Sequence, residues 1–414
     1  MRVYHHLIFP RKNLQKNTLS GREVTGFDTD ALPIRAGAEV REDISGCLED
    51  ESTILQETAA YDRKLELLIA CYKKIEPRIS SLLEKIPEGR KGIVFGGGVD
   101  MIDFNDLYHM MRNSTGNTSP LIGVLLENNK RAGRINSVYN RTNVPALYLS
   151  NKLKCGAFQK NILTACSAST QAIAFGVDAI RKNRADIVLA GGSDSTINLN
   201  AFIGFMKLGI IQPDDRPAEK VCRPLDVNRK GTMLGEGAGL LLLASEKIVN
   251  EMGLSPKLEI IGSGNTLDGY KITAPHPEGR GMKRAMQRAL TDAGVKPENI
   301  DYINLHGTGT ITNDQIELES IIEVFGDAAA GVMVSSTKDR HGHQIAAAGI
   351  QELIILCLAM ENNFVPCTVN LEKPVISNSI DIVMTENRRA PLKICISNSF
   401  AFGGINTVLV VKKV

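Results

Sequence analysis

The spacing of apolar positions changes along the chain, and each change marks an element. Over residues 61–85, Leu65, Leu68, Ile69 and Tyr72 recur at helical spacing, which predicts a helix. Ile93-Val94-Phe95 is a short apolar run ending in Gly96-Gly97-Gly98, a strand and a tight turn; no Gly-Lys-Ser/Thr follows, so it is not a P-loop. A strand ends over 161–165. A helix over 167–182 follows, with Ile173, Val177 and Ile180 on one face, and then strand Asp186–Ala190, closed by Gly191-Gly192. Strand–helix–strand implies a parallel sheet with a right-handed crossover. Residues 237–243, Gly-Ala-Gly-Leu-Leu-Leu-Leu, read as a strand buried on both faces.

The plan then repeats. A helix over 281–294 leads to strand 302–305 and a turn at His306. Strand Val332–Ser335 runs into a turn over 338–343, helix 345–360 follows, and Ile396 to Val411 closes the sheet. Two runs of strand, functional turn and buried helix predict an internal duplication of α/β halves. Residues 1–60 carry little pattern beyond a strand from Val3 to Phe9.

Composition removes several function classes. The 43% apolar and 23% charged fractions are those of an ordinary globular protein. A net charge of +2, no tryptophan and few aromatics argue against a nucleic-acid surface. Eight cysteines stand singly with no CxxC pair, which disfavours a zinc ribbon or thioredoxin site. No run approaches the roughly 20 apolar residues of a membrane span, and the start lacks a signal core, so a cytoplasmic setting is expected.

Three residues carry candidate chemistry. Cys166, in Leu163-Thr164-Ala165-Cys166-Ser167, falls between a strand and a helix. A helix N-terminus lowers a thiol pKa and offers N–H groups to an oxyanion, so Cys166 is either such a nucleophile or an inert buried cysteine. His306 precedes Gly307-Thr308-Gly309-Thr310, where glycine permits close backbone approach; alone it is also an ordinary turn histidine. His343, in His341-Gly342-His343, invites a metal reading, yet two histidines are half a site and no acidic or cysteine cluster completes it, so no metal is expected. Two neutral imidazoles donating to one oxygen would stabilise an enolate, which could attack an acyl group on the thiol.

With these residues in order, the chain resembles the elongating β-ketoacyl-acyl-carrier-protein synthases, condensing enzymes of the thiolase fold. The matching stretches are Thr164–Ser167, Arg223-Pro224-Leu225-Asp226 with Gly235–Gly239, His306–Thr310 with Asp314 and Glu317, Ser335–Lys338 with Gly342-His343, and Asn398–Asn406. The resemblance implies a five-layered αβαβα structure of two duplicated halves, residues 1–252 with the nucleophile and 253–414 with the histidines. It implies that Cys166 takes the acyl chain and that His306 and His343 stabilise the enolate. The oxyanion hole would be the N–H groups of Cys166 and Phe402. Lys338 and Glu317 would form a pair holding the histidines, with Asp314 in the same network. Thr273, Thr308 and Thr310 would contact the phosphopantetheine arm, while Phe400 and Phe402 belong to a gating loop. No cofactor is implied, because substrates ride on the phosphopantetheine of acyl carrier protein. The family is dimeric through the segment before the nucleophile, here 155–165, as a homodimer or with a related subunit.

The departures from the family pattern are informative. The N-terminus lacks the usual Thr-Gly turn after its first strand, Ala401 stands where the gating loop usually has glycine, and Gln344 to Gly349 alters the small-residue run after His343. The stretch 53–64 holds few of the basic residues expected to dock an acidic carrier, leaving Arg63, Lys64 and Lys207. These point to a specialised synthase of a polyketide or polyene pathway. A thiolase is disfavoured because Phe400–Gly404 replaces its second cysteine, and an initiating synthase because both histidines are present. A chain-length factor, the non-catalytic alternative, would lack Cys166.

Overall fold

The computed structural model describes residues 2–7, 18–30, 32–51, 63–98, 142–376 and 379–414. The sequence readings at 8–9, 53–62 and 101–113 lie outside these residues.

In the first half, strands β1 (Arg2–Leu7), β2 (Lys91–Gly97), β3 (Phe158–Ile162), β4 (Ile187–Ser195) and β5 (Glu236–Ala244) stand in the order β3-β2-β4-β5-β1. In the second, β6 (Leu258–Leu267), β7 (Tyr302–Asn304), β8 (Met333–Ser335), β10 (Ile394–Ala401) and β11 (Ile405–Lys413) stand in the order β8-β7-β10-β11-β6, with β9 (Asp381–Ile382) added beside β8. The two orders are the same plan twice, as the repeated pattern predicts. The closing run that reads as one strand from Ile396 to Val411 is a hairpin, broken at Phe402–Gly404. The halves meet where Arg2 of β1 pairs with Glu259 of β6. The reading of Val3–Phe9 as a strand thus finds β1 near the middle of the whole sheet, antiparallel to β5.

Period-two alternation turns the sheet into layers. Val94, Val188, Ala190, Leu241 and Leu243 face an inner core with Tyr302, Leu409 and Val411 of the second half. Their neighbours Ile93, Phe95, Ile187, Leu189, Leu240 and Leu242 face outward onto helices α1 (Arg63–Glu84) and α2 (Val144–Leu153). Ile303, Ile396, Val408 and Val410 face α5 (Arg280–Ala293) and α6 (Ile311–Phe325) on the opposite outside. Between the two half-sheets lie α3 (Ala168–Arg181) and α7 (Ala348–Asn362), packed on each other. Helix–sheet–helix–sheet–helix is the five-layered thiolase arrangement.

Every residue of α7 from Ala348 to Met360 is buried, and all but Gln351 and Glu352 are apolar, so the helix is buried all round rather than striped. Its stretch Ile345–Asn362 has the length and composition of a membrane span but is 89% buried among protein.

Both inner helices begin in the same way. A 3₁₀ turn, Ala165–Ser167, precedes α3, and another, Ile345–Ala347, precedes α7. Each opens on a non-glycine residue in left-handed backbone, Ala165 at φ 46° and Ile345 at φ 41°. Such residues cost about 1–3 kcal/mol each and persist only where the surroundings enforce them. The residue after each is Cys166 in one half and Ala346 in the other.

Candidate active site

The first elbow carries β3 into α3 and leaves Cys166 at the turn, only 3% exposed. His343 comes from the second elbow, two residues before Ile345. Gly342, at φ 67°, reverses the chain there, and His343 N–H donates to the Met233 carbonyl at 2.7 Å, which pins it to the first half. His306 ends the stretch after β7. One ring nitrogen of each histidine and Cys166 Sγ lie within 4.8 Å of one another. His343 Nε2 stands 3.0 Å from Sγ, and the imidazole centroids are 5.4 Å apart at 79°. His341, by contrast, turns away to Thr337 Oγ1 (3.1 Å) and takes no part.

Carboxylates hold the His306 loop from beneath. Glu317 accepts from His306 N–H and Gly307 N–H, both at 2.8 Å, and from Asn398 Nδ2 at 3.1 Å. Burial pushes Glu317 up to about 7, while these three donors favour its anion. Asp314 accepts from Leu225 N–H (2.8 Å) and Gly309 N–H (3.1 Å), joining the loop to the Arg223–Asp226 turn.

The expected Lys338–Glu317 pair does not form as such. Lys338 Nζ pairs with Glu352 of α7 and donates to the His306 carbonyl, while Glu317 binds backbone on the other side of His306. Both flank the histidine as expected, but the counterion is Glu352, the one acid between Ala348 and Met360. An acidic residue in an otherwise mostly apolar stretch was the available signal.

The surroundings also set the tautomers. Lys338 Nζ lies 3.4 Å from His306 Nδ1, and an ammonium has no acceptor capacity, so the His306 proton belongs on Nε2. His343 Nδ1 is buried with no partner among the described residues. An N–H there would be an orphan donor, so the tautomer with its proton on Nε2 is the one that leaves no buried N–H of this ring unpaired. Burial, then the Lys338 charge, holds both histidines well below their ordinary pKa, hence neutral.

Cys166 departs from expectation. Burial pushes its thiol up to about 12, outweighing the Lys338 charge and the N–H groups of Phe402 and Cys166 itself that reach Sγ. The helix terminus is present, but a dry site penalises the thiolate more than the terminus favours it. Those two N–H groups are the ones expected as oxyanion donors, and both favour the thiolate.

A cavity of about 460 Å³ opens over this centre. Thr273, Thr308 and Thr310 line it, as do Phe400 and Phe402. Phe400 stands edge-on to His306 at 6.3 Å, and Phe402 stacks on Phe205 of α4 (Leu199–Lys207) at 6.4 Å. Ala401 between them is extended (φ −104°, ψ 160°), a conformation open to any residue. Of the three cations expected at the surface, Lys207 is exposed. Arg63 pairs with Glu66 and Glu236 at 3.0 and 3.3 Å, and Lys64 is 7% exposed, so neither is available for docking.

The family models "Beta-ketoacyl synthase, N-terminal domain" and "Beta-ketoacyl synthase, C-terminal domain" match residues 108–247 and 258–372. Nodulation protein E of Rhizobium meliloti is 39% identical over 253 residues, 61% of this chain and 61% of that protein's length. The 3-oxoacyl-[acyl-carrier-protein] synthase 2 of Staphylococcus aureus (strain COL) is 30% identical over 408 residues, 97% of this chain and 94% of that one. Among solved structures, the ishigamide ketosynthase/chain length factor superposes with a TM-score of 0.81 at 27% identity, covering 100% of this chain and 98% of that one. A type II PKS acyl-carrier protein in complex with its ketosynthase bound to the hexaketide gives 0.82 at 23%, with the same coverage, a likeness of fold. The chain belongs to the β-ketoacyl synthase family of condensing enzymes.

Proposed function

We propose that the chain is a β-ketoacyl-acyl-carrier-protein synthase: it lengthens an acyl chain held on Cys166 by two carbons from malonyl-acyl-carrier-protein. The observation that carries this is a thiol 3.0 Å from one neutral imidazole and beside a second, at the base of a 460 Å³ cavity. Cys166 Sγ attacks the acyl thioester, and the oxyanion is received by the N–H groups of Cys166 and Phe402. The thiol proton ends on the departing pantetheine sulfur, leaving acyl-Cys166. The malonyl thioester then loses CO₂, and its enolate oxygen accepts from Nε2–H of His306 and of His343. The enolate carbon attacks the acyl carbonyl, the Cys166–acyl bond breaks, and the released thiolate takes a proton from solvent.

Lys338, Glu317 and Asp314 position His306 and its loop, and the three threonines flank the path of the pantetheine arm. Residues 1–252 and 253–414 are the two halves. The reaction needs no cofactor, and eight free thiols suit a reducing cytoplasm. The likeness to the ishigamide ketosynthase/chain length factor, with the Ala401 departure, supports a specialised pathway. A second reading is a partner-dependent subunit of a heterodimer: among the described residues β3 ends the sheet, with Leu163 beside it 51% exposed, an edge that suits a second chain, identical or related. Intact-mass analysis with acyl-loaded carrier proteins, then malonyl carrier protein, tests both. An adduct on wild type but not on Cys166→Ala, discharged as a chain two carbons longer, supports the synthase. No adduct until a related subunit is added supports the second reading.

A further inference from the structure

We propose that Asp194 supplies, with its own side chain, the anion held by the second elbow, and that it thereby positions His343 against the Cys166 sulfur; this rests on the function proposed above. The residue after each strained turn offers a backbone N–H. In the first half that is the N–H of Cys166, which favours an anion at the sulfur. In the second it is the N–H of Ala346, which donates to Asp194 Oδ2 at 2.9 Å. Asp194 lies near the end of β4, 152 positions before Ala346, and is 3% exposed. Its other oxygen accepts from Ser195 N–H at 2.9 Å. The second elbow therefore has the parts of an oxyanion site with a permanent occupant: a left-handed turn, a buried N–H before an inner helix, and a carboxylate oxygen on it.

The place suits a carboxylate of this length. Gly98 packs directly on it, and a Cβ there would collide with both carboxylate oxygens. Gly192, two residues earlier on β4, lets the Ala346 carbonyl approach: a Cβ there would lie 3.2 Å from it. What the bond secures is the seat of His343. His343 N–H donates to the Met233 carbonyl at 2.7 Å, and its own carbonyl accepts from Gly235 N–H at 3.1 Å. Those two ties to the first half are backbone to backbone. The tie at Ala346, three residues on, comes from a side chain, so a substitution can remove it. With both ends of His343–Ala346 held, Nε2 keeps its 3.0 Å distance from Sγ. A neutral tie joins the inner helices nearby, where Ser169 Oγ accepts from Ile350 N–H at 2.9 Å.

Asp194 also contributes to the field at the sulfur. The titratable and charged groups around Cys166 are the neutral imidazoles of His306 and His343, the Lys338 ammonium with its partner Glu352, and Asp194. Lys338 favours the thiolate and Asp194 disfavours it. Removing the Asp194 charge therefore has two effects of opposite sign. The thiol ionises more readily, while the imidazole that serves the enolate loses its seat. A residue that served the fold alone would lower both reactivities together.

The test is Asp194→Asn, which keeps the shape and removes the charge. Asparagine retains one oxygen, so either Ala346 N–H or Ser195 N–H then meets an amide donor. Alkylation by iodoacetamide at pH 8, read at Cys166 by peptide mass, should rise about three- to tenfold, and its pH profile should move to lower pH. Discharge of preformed hexanoyl-Cys166 by malonyl carrier protein should slow by about tenfold to a hundredfold. Ser169→Ala loses the neutral tie; it should lower the urea midpoint and leave both rates near wild type. If Asp194→Asn shows no cooperative urea transition, Asp194→Gly with added formate decides: folding and discharge restored by formate but not by chloride support the proposal, and no recovery overturns it. Discharge at the wild-type rate, both reactivities falling together, or the same rise in alkylation with Ser169→Ala overturns it as well. Wild-type protein that forms no hexanoyl adduct overturns the function proposed above instead; the alkylation profile needs no acyl donor and still reads Asp194.

Discussion

Replacing Glu317 with glutamine separates the two half-reactions. The carboxylate accepts three bonds, two from the His306–Gly307 backbone and one from Asn398, in a fully buried place. Glutamine keeps one oxygen. Its better orientation faces that oxygen to His306 N–H and Asn398 Nδ2, and turns the amide toward Gly307 N–H. One buried donor then meets another donor, at a cost of about 1–3 kcal/mol. If that strain moves the His306 ring, condensation slows by roughly 5- to 150-fold. Acylation of Cys166 makes no use of His306, so its rate should hold. Two measurements decide: single-turnover acylation by intact mass, and discharge of the preformed acyl-enzyme by malonyl carrier protein. The urea midpoint should fall in parallel. Equal loss in both steps, or a destabilised protein with wild-type condensation, would refute the idea that Glu317 acts through the position of His306.

Other outcomes follow from the same geometry. Lys338→Ala strands a buried carboxylate and should cost about 3–5 kcal/mol; adding Glu352→Ala should cost less than the two single changes together, a coupling visible in a double-mutant cycle of urea midpoints. Because burial raises the Cys166 thiol to about 12, its alkylation by iodoacetamide should climb with pH to beyond pH 9; a plateau below pH 7 would contradict it. His341 is held near 3 by burial, below its unfolded value of about 6.5. The unfolded chain binds more protons in that window, so this contribution is present above pH 6.5 and lost as pH falls toward 3; His341→Asn should flatten the acid limb of stability against pH. Glu317, raised to about 7, has the opposite sign: the native state binds the extra proton, and stability falls as pH rises from about 4.5 to 7, a slope that Glu317→Gln should remove.

Much of the site was legible because its residues sit on turns with a strong local signature. A strand ending before a helix at Cys166, and glycine beside each histidine, placed the three groups that the fold brings within 4.8 Å. The duplication was legible in the order of strand and helix patterns. Charge state was not. Position at a helix start suggested a lowered thiol pKa, but that depends on how dry the site is, and dryness is set by residues from both halves. Glu352 escaped notice for a related reason: within α7 it looks like a flaw in an apolar run until Lys338, fourteen positions away, is placed beside it. The availability of Arg63 likewise depends on Glu236, 173 positions distant.

The two matching elbows explain why one chain serves where two copies of a half would not. In the first half the strained turn presents a thiol. In the second the corresponding residue is Ala346, chemically silent, yet Ile345 keeps the same left-handed backbone at a cost of about 1–3 kcal/mol. What that second bend secures is His343, set against the sulfur of the other half. Two identical subunits would have to carry every change in both copies, so a thiol gained at one turn would appear at its mate. Fusion into a single polypeptide lifts that constraint: each turn can specialise alone, one becoming the attacking group and the other its witness across the junction.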